Sequence, residues 1–318
     1  MNINWDTYPK SSWLKNFDDY ICLNKITIPG THESCSSKNR LKINMFNCQI
    51  GDISSQLEAG IRYLDLRCHL DKGIIGLSHG GADMYAKLDK VLEDCYNFLL
   101  KNQSEFIFIK IKKEKNKLTK IGGKMGLGTL DTSNSKFDAA FQNCIKKFKS
   151  IFYLKNEIPF LKDVRGKIIL IYDKGIESKI GLDWSSKELF NKQGEWNFQN
   201  YLSITDSQQT KLKLVIEHFK KAKDSTNSAI YVNALNASGS LDLRKTPESF
   251  ADYLNPKVAD YLDKNPQGYY GIINIDFALK DHGIKLINKI IRANNFLLSG
   301  SLKRRNAVKR ISSRNTAG

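Results

Sequence analysis

Ile61-Arg62-Tyr63-Leu64-Asp65-Leu66-Arg67 is a strand pattern that starts behind Gly60 and ends in an acid and a base. Asp65 and Arg67 stand two apart, so on a strand they share one face. Outward from this stretch, strand-like and helix-like runs alternate. Lys25–Ile28 reads as a short strand before it and Ile74–Ser78 as one after it. Tyr85–Lys101 carries Leu88, Val91, Leu92, Cys95, Phe98 and Leu99 at three- and four-residue spacing, which predicts a helix. Glu105–Lys112 sets Phe106, Phe108, Lys110 and Lys112 against Ile107, Ile109 and Ile111, the period of a strand. Further on, strands are predicted at Lys167–Tyr172, Tyr201–Thr205 (the weakest), Ala229–Leu235 and Gly271–Phe277. Helices are predicted at Asn134–Ser150, Gln208–Lys223, Lys257–Lys264 and Gly283–Asn294. Residues 113–133, rich in Lys and Gly, read as a mobile loop.

Such alternation predicts a parallel sheet. About eight strands, with no GxGxxG or Walker loop, favour a closed barrel over an open nucleotide-binding sheet. The fold class expected is α/β: a single irregular, distorted TIM-type β/α barrel over residues 1–298. Residues 299–318 are expected to form a basic, disordered C-terminal tail, with Lys303, Arg304, Arg305, Lys309, Arg310 and Arg314 and no acid among its last 18 positions.

Composition excludes some classes. The 318 residues are 41% hydrophobic and 26% charged, which argues for a globular chain rather than a disordered one. No apolar run approaches the ~20 residues of a membrane span. The first six residues lack the charged start and apolar core of a secretory leader. The locations expected are therefore secretion by another route or with the leader removed, peripheral attachment to a membrane, or the cytoplasm. Six cysteines show no CxxC or zinc-like spacing, so free and mostly structural thiols are expected. The net charge of +17 points to an anionic partner. The tail is either a solvated terminus or an electrostatic membrane anchor worth ~1 kcal/mol per basic residue. Nucleic acid is not expected, because the basic residues lack interleaved aromatics or a reader motif.

In a β/α barrel the chemistry sits at the C-terminal ends of the strands. The polar residues collected there are His32 and Glu33, Asp65 and Arg67, His79, Lys110 and Lys112, Arg165 and Asp173, Asp206, and Asp276. Each has a plainer alternative: a satisfied structural histidine, an internal salt bridge, a solvated lysine. His69, His218 and His282 are read as structural. Two histidines at successive strand ends, with an acid and a base between them, suit attack on a phosphate ester.

The string Ile26-Thr27-Ile28-Pro29-Gly30-Thr31-His32-Glu33-Ser34 resembles the opening motif of the bacterial-type phosphatidylinositol-specific phospholipase C family. The family order continues with Asp65-x-Arg67, His79-Gly80, Lys112-Lys113-Glu114, Arg165-Gly166-Lys167 and Tyr253-Leu254-Asn255-Pro256. A strand ending in Asp276 and the run Ile290-Ile291-Arg292-Ala293-Asn294 complete it. The resemblance covers roughly residues 15–297 and also implies an irregular barrel.

It implies a lyase that cleaves phosphatidylinositol to diacylglycerol and inositol 1,2-cyclic phosphate. His32 would be the general base on the inositol 2-hydroxyl and His79 the general acid on the leaving oxygen. Asp276 would orient His32, Arg67 would bind the phosphate oxygens, and Asp65 would support His79. Glu33 stands where the family usually has Asp. Lys112, Arg165 and Asp206 match positions that hold the inositol hydroxyls, while the family's ring-stacking Tyr falls at Gln208. Phe46, Leu241 and Leu243 match membrane-contact positions, with Arg244 and Lys245 near head groups. Arg67 occupies the place of a metal-binding carboxylate cluster, so no metal and no other cofactor are expected. The partner expected is a phosphatidylinositol-containing membrane surface, met peripherally by a monomer. Two rivals are a lipid-binding module of weak activity and a phosphodiesterase for a different head group.

Overall fold

The structure, a computed structural model, describes residues 5, 7–38, 46–114, 117–121, 124–128, 133–194, 196–197, 203–238 and 244–298. In chain order its strands are β1 (Ile28–Thr31), β2 (Tyr63–Asp71), β3 (Ile74–His79), β4 (Ala82–Lys87), β5 (Phe106–Lys113), β6 (Lys117–Ile121), β7 (Lys124–Gly128) and β8 (Phe152–Tyr153). They continue as β9 (Lys167–Tyr172), β10 (Leu182–Asp183), β11 (Phe190–Gln193), β12 (Trp196–Asn197), β13 (Ile230–Ala234), β14 (Ala237–Ser238) and β15 (Ile272–Ile275). The α-helices are α1 (Ile53–Glu58), α2 (Leu88–Lys101), α3 (Asn134–Lys147), α4 (Leu161–Val164), α5 (Ile204–Lys223), α6 (Pro247–Lys264) and α7 (Asp281–Arg292).

Eight strands form the curled wall, in the order β10-β9-β5-β2-β1-β15-β13-β11. Every pairing along this path is parallel. Among the described residues β10 and β11 do not pair with each other, so the barrel is open along that seam. Most of the wall strands are largely apolar on both faces because one face lines the interior and the other meets helices. Phe106–Ile111 is buried at every position, as is Ile272–Ile275. The covering helices show the complementary stripe: α7 buries Leu286, Ile287, Ile290 and Ile291. Each such side chain contributes about 1.5–3 kcal/mol when removed from water. Asn294, just past α7, accepts the Thr27 amide and donates to the Thr27 carbonyl at 2.8 Å each, which fixes the entry of β1.

The lower, N-terminal end of the wall is closed by a fully buried ion pair. Arg62 Nη2 lies 2.9 Å from Glu105 Oε2, and neither side chain is exposed. The guanidinium also donates to the carbonyls of Leu57, Ile61 and Ser11. Glu105 accepts the Leu14 amide and the Ser104 hydroxyl. Burial pushes the Glu105 carboxyl up, and Arg62 opposes the shift.

Five expectations need correction. Ile74–Ser78 does form β3, but it runs antiparallel to β2 and is not a wall strand. β2 continues beyond the rim, turns at Lys72-Gly73 with positive φ at both residues, and returns as β3. That is the hairpin turn whose twist matches its strands. Residues 85–87 belong to strand β4, and α2 begins at Leu88. Residues 113–133 include an antiparallel hairpin of β6 and β7 where a loop was expected. Thr205 lies in helix α5, which starts at Ile204; Tyr201 and Leu202 are outside the described residues. Helix α6 also begins ten positions earlier than the reading and carries Pro256 inside it.

Candidate active site

Register places the first pair of groups. In the β1–β15 ladder Thr31 pairs with Ile275, so the next residues, His32 and Asp276, leave the wall side by side. His32 Nδ1 is 2.9 Å from Asp276 Oδ1. His32 Nε2 is 3.2 Å from Arg67 Nη2. A guanidinium can only donate, so Nε2 accepts and the ring proton sits on Nδ1, donated to the carboxylate. His32 is thus held neutral with its basic nitrogen turned to the mouth of the barrel.

The turn that carries His32 is fixed by its own side chains. Thr31 Oγ1 donates to Gln56 Oε1 and lies 2.8 Å from Ser34 Oγ. The Asp65 amide donates to Ser34 Oγ at 2.9 Å, tying the end of β1 to β2. Glu33 adopts φ of +45°, and Ser36 Oγ donates to its carbonyl. Gly30 is required because a Cβ there would meet the Tyr63 ring at 2.8 Å. Gln49 spans the site from behind: its Nε2 donates to the carbonyls of His32 and Ile275 at 2.8 Å each, and its Oε1 accepts the Ala278 amide. Asn255 Nδ2 donates to the Asp276 carbonyl at 3.0 Å.

From β2, Asp65 and Arg67 face the interior together. Arg67 Nε lies 2.5 Å from Glu33 Oε1, and its Nη2 lies 3.8 Å from Asp65 Oδ2. Burial pushes the Glu33 carboxyl well up, and Arg67 pulls the other way. On β5, Lys110 is paired in register with Asp65 and Lys112 with Arg67. Lys110 Nζ is 3.2 Å from Asp65 Oδ1 and 3.7 Å from Asp173 Oδ2. It also lies 4.5 Å from the centre of the Trp184 ring. Lys112, half-buried, sits one pleat nearer the mouth on the same face as Lys110.

His79 arrives on the returning strand β3. Gly80 and Gly81, with φ of +56° and +83°, make the tight turn into β4. The Phe46 carbonyl accepts from His79 Nδ1 at 2.8 Å, which leaves Nε2 as the working nitrogen. The rings of His32 and His79 meet edge-on, 5.9 Å between centres. Two imidazoles therefore flank one crevice, with a guanidinium on the first and a fixed carbonyl behind the second. Cys48 Sγ lies 3.7 Å from His79 Nδ1 in the same crevice, and burial pushes its thiol well above the ordinary range.

The structure brings His32, Glu33, Asp65, Arg67, His79 and Asp276 together, with Lys112 beside them. Three expected residues are placed elsewhere. Arg165 precedes β9 and so stands at the lower end of the wall; its guanidinium binds Asp19 at 2.6 Å and the carbonyls of Phe17 and Ser104. It ties loops under the barrel and cannot hold a ligand at the mouth. Asp206 is exposed in the first turn of α5, where it accepts the hydroxyl of the N-cap Ser203. Phe46 is half-buried with its ring edge-on to His79, so it packs the site instead of standing free for a bilayer. Leu241 and Leu243 lie outside the described residues. Gln208 donates to the Ser249 carbonyl, away from the crevice groups.

His69, His218 and His282 are held by neighbours, as expected. His69 Nε2 faces Asp83 at 3.9 Å, His218 sits between Asn233 and Asn191, and His282 Nε2 binds Asp252 at 2.8 Å. All six cysteines are free. Gln49, Asn255 and Trp184 also serve the site; Asn255 belongs to the Tyr253-Leu254-Asn255-Pro256 motif, and the other two have no local signal in the sequence.

Residues 23–174 match the family model described as phosphatidylinositol-specific phospholipase C, X domain. A 1-phosphatidylinositol phosphodiesterase of Listeria monocytogenes is 30% identical over 92% of this chain and 89% of its own length. One from Staphylococcus aureus is 27% identical over 86% of this chain and 90% of its own. The solved phosphatidylinositol-specific phospholipase C of Listeria monocytogenes superimposes with a TM-score of 0.74, at 27% identity, over 91% of this chain and all of that one. A similarity this strong over nearly the whole length places the chain in the phosphatidylinositol-specific phospholipase C family.

Proposed function

We propose that the chain cleaves phosphatidylinositol to diacylglycerol and inositol 1,2-cyclic phosphate, acting peripherally on a lipid surface. The observation that carries this is the continuous chain Asp276–His32–Arg67 facing His79 across one crevice. His32 Nε2 takes the proton of the inositol 2-hydroxyl, whose oxygen attacks phosphorus. Arg67 exchanges its contact with His32 for the non-bridging phosphate oxygens as their charge grows. Asp276 stabilises the imidazolium formed on His32. His79, protonated on Nε2, gives that proton to the departing glycerol oxygen. Each proton transfer is worth ~10²–10⁴-fold. The cyclic product can be opened by water with the two histidines in reversed roles.

Arg67 supplies the positive charge that a metal ion would bring to the phosphate, so we read the reaction as metal-independent. Glu33 at Nε and Asp65 at Nη2 hold that guanidinium in place. The inositol hydroxyls would be met by Lys112, and Lys110 and Asp173 with Trp184 extend that polar wall. Among the described residues no helix is long and apolar enough to cross a membrane. Residues 1–298 are the catalytic unit in this reading, and the basic tail adds attraction to anionic lipid.

A second reading, a phosphodiesterase for another head group, is favoured by the loss of Arg165 and Asp206 from the inositol-holding set and by Gln208 standing where the family has its ring-stacking Tyr. A head-group panel decides between them. Release of soluble phosphate esters is measured from vesicles of phosphatidylinositol, phosphatidylcholine and phosphatidylglycerol, with and without chelator. Cleavage of the inositol lipid alone, unchanged by chelator and lost in His32→Ala, is expected. Wild-type rates in His32→Ala would refute the mechanism, and full loss in chelator would refute metal independence.

A further inference from the structure

Cys48 shares the catalytic crevice, and the reaction gives it no task. Its sulfur, a His32 ring nitrogen and an Asp276 carboxylate oxygen all lie within 4.8 Å of one another, and all three residues are buried. Thiolate, imidazole and carboxylate together are donors that zinc accepts and that calcium and magnesium do not select. About a tetrahedral zinc with bonds of ~2.0–2.3 Å, ligand atoms stand roughly 3.6 Å apart, so the set closes around an ion by a shift of about 1 Å.

We propose that His32, Cys48 and Asp276 form a binding site for a soft divalent transition metal, zinc above all, and that the bound ion switches the catalytic base off. Binding is a ligand exchange with no electron transfer. The Cys48 thiol releases its proton to solvent and its sulfur binds the ion. His32 binds through Nδ1, and the proton that Nδ1 carried is replaced by one on Nε2. Nε2 then donates and cannot take the proton of a substrate hydroxyl, so the Arg67 contact is given up as well. The inhibitory half of the inference rests on the phosphodiesterase reading; the binding half does not.

The test uses the full chain and the metals alone. Cobalt(II), the spectroscopic stand-in for zinc, is expected to give a thiolate-to-metal charge-transfer band in the near ultraviolet. That band should vanish in Cys48→Ser and persist in Cys35→Ser. Zinc should inhibit phosphatidylinositol cleavage by the wild type, with recovery on chelation. Calcium and magnesium at the same concentration should not. Cys48→Ser should stay active, and half-inhibition should need ~10-fold more zinc or greater, since removing even an outer partner of a ligand costs that much. Cys48→Ala provides the same reading if the serine variant folds poorly. Equal zinc sensitivity in wild type and both variants, or no charge-transfer band in the wild type, would overturn the proposal. A Cys48-dependent band in a chain that cleaves no phospholipid would uphold the metal site and overturn its inhibitory role.

Discussion

Replacing Asp276 by Asn tests the coupling between the base and its carboxylate. The side chain keeps its shape and one oxygen, so the crevice is preserved while the charge is lost. Asp276 Oδ1 stands 2.9 Å from His32 Nδ1, and both groups are buried. At an effective dielectric of ~20, unit charges at that distance interact by about 6 kcal/mol. That sum applies only once His32 has become imidazolium, so the loss falls on the transition state. At 1.36 kcal/mol per tenfold it corresponds to ~10⁴ in kcat, and the hydrogen bond that Asn retains brings the expectation to ~10³–10⁴. KM should hardly move. The assay is the rate of inositol phosphate release from phosphatidylinositol in mixed micelles, measured for Asp276→Asn, His32→Ala and the double variant. Because the carboxylate acts through the ring, the second substitution should add little to the first. A kcat within tenfold of the wild type would refute the argument. So would a full-sized Asp276 effect in the His32→Ala background.

Two predictions concern the scaffold. Glu105→Ala leaves the Arg62 guanidinium buried without its carboxylate and should cost ~3–5 kcal/mol in urea unfolding; a loss below ~1 kcal/mol would show that the carbonyls around Arg62 suffice. His218, held by Asn233 and Asn191, has its pKa lowered from 6.5 chiefly by burial. Below about pH 6.5 the unfolded chain therefore binds more protons than the folded one, and stability is lost as pH falls. The drop in urea midpoint from about pH 7.5 to 5.5 should shrink in His218→Gln, and an unchanged drop would refute the assignment.

Six of the eight wall strands were legible because they are apolar runs with single acids and bases at their ends; β10 and β11 were not, being two and four residues long with one apolar residue each. The candidate set was legible for the same reason: His32, Asp65, Arg67 and Asp276 are placed by strand register, a local property. Arg165 was misplaced although its position was readable. It stands before its strand, and parallel strands put that end away from the site. Asp206 reads as a strand end in local pattern, but Ser203 and Asp206 cap a helix. His79 was assigned to the right rim by the wrong route. The Lys72-Gly73 turn marks a hairpin, and the hairpin returns the histidine to the level of His32. Gln49 and Cys48 left no trace in local pattern, because their roles come from contacts with β1 and β15 far along the chain. The pairing of Arg62 with Glu105 was hidden likewise: each looked like an ordinary charge at the edge of a strand.

The ladder between β1 and β15 has a further consequence, in the order of events during synthesis. It joins the first wall strand to the last, and the His32–Asp276 bond closes a loop of 244 residues. Contacts so distant in sequence form late in folding. A ribosome-bound chain that has emerged through β13 already carries both histidines and Arg67, yet its base has no carboxylate and β1 has an open edge. Lipid-cleaving power is therefore withheld until the final strand docks. A chain truncated before residue 276 would lack both the carboxylate beside His32 and the strand that covers β1.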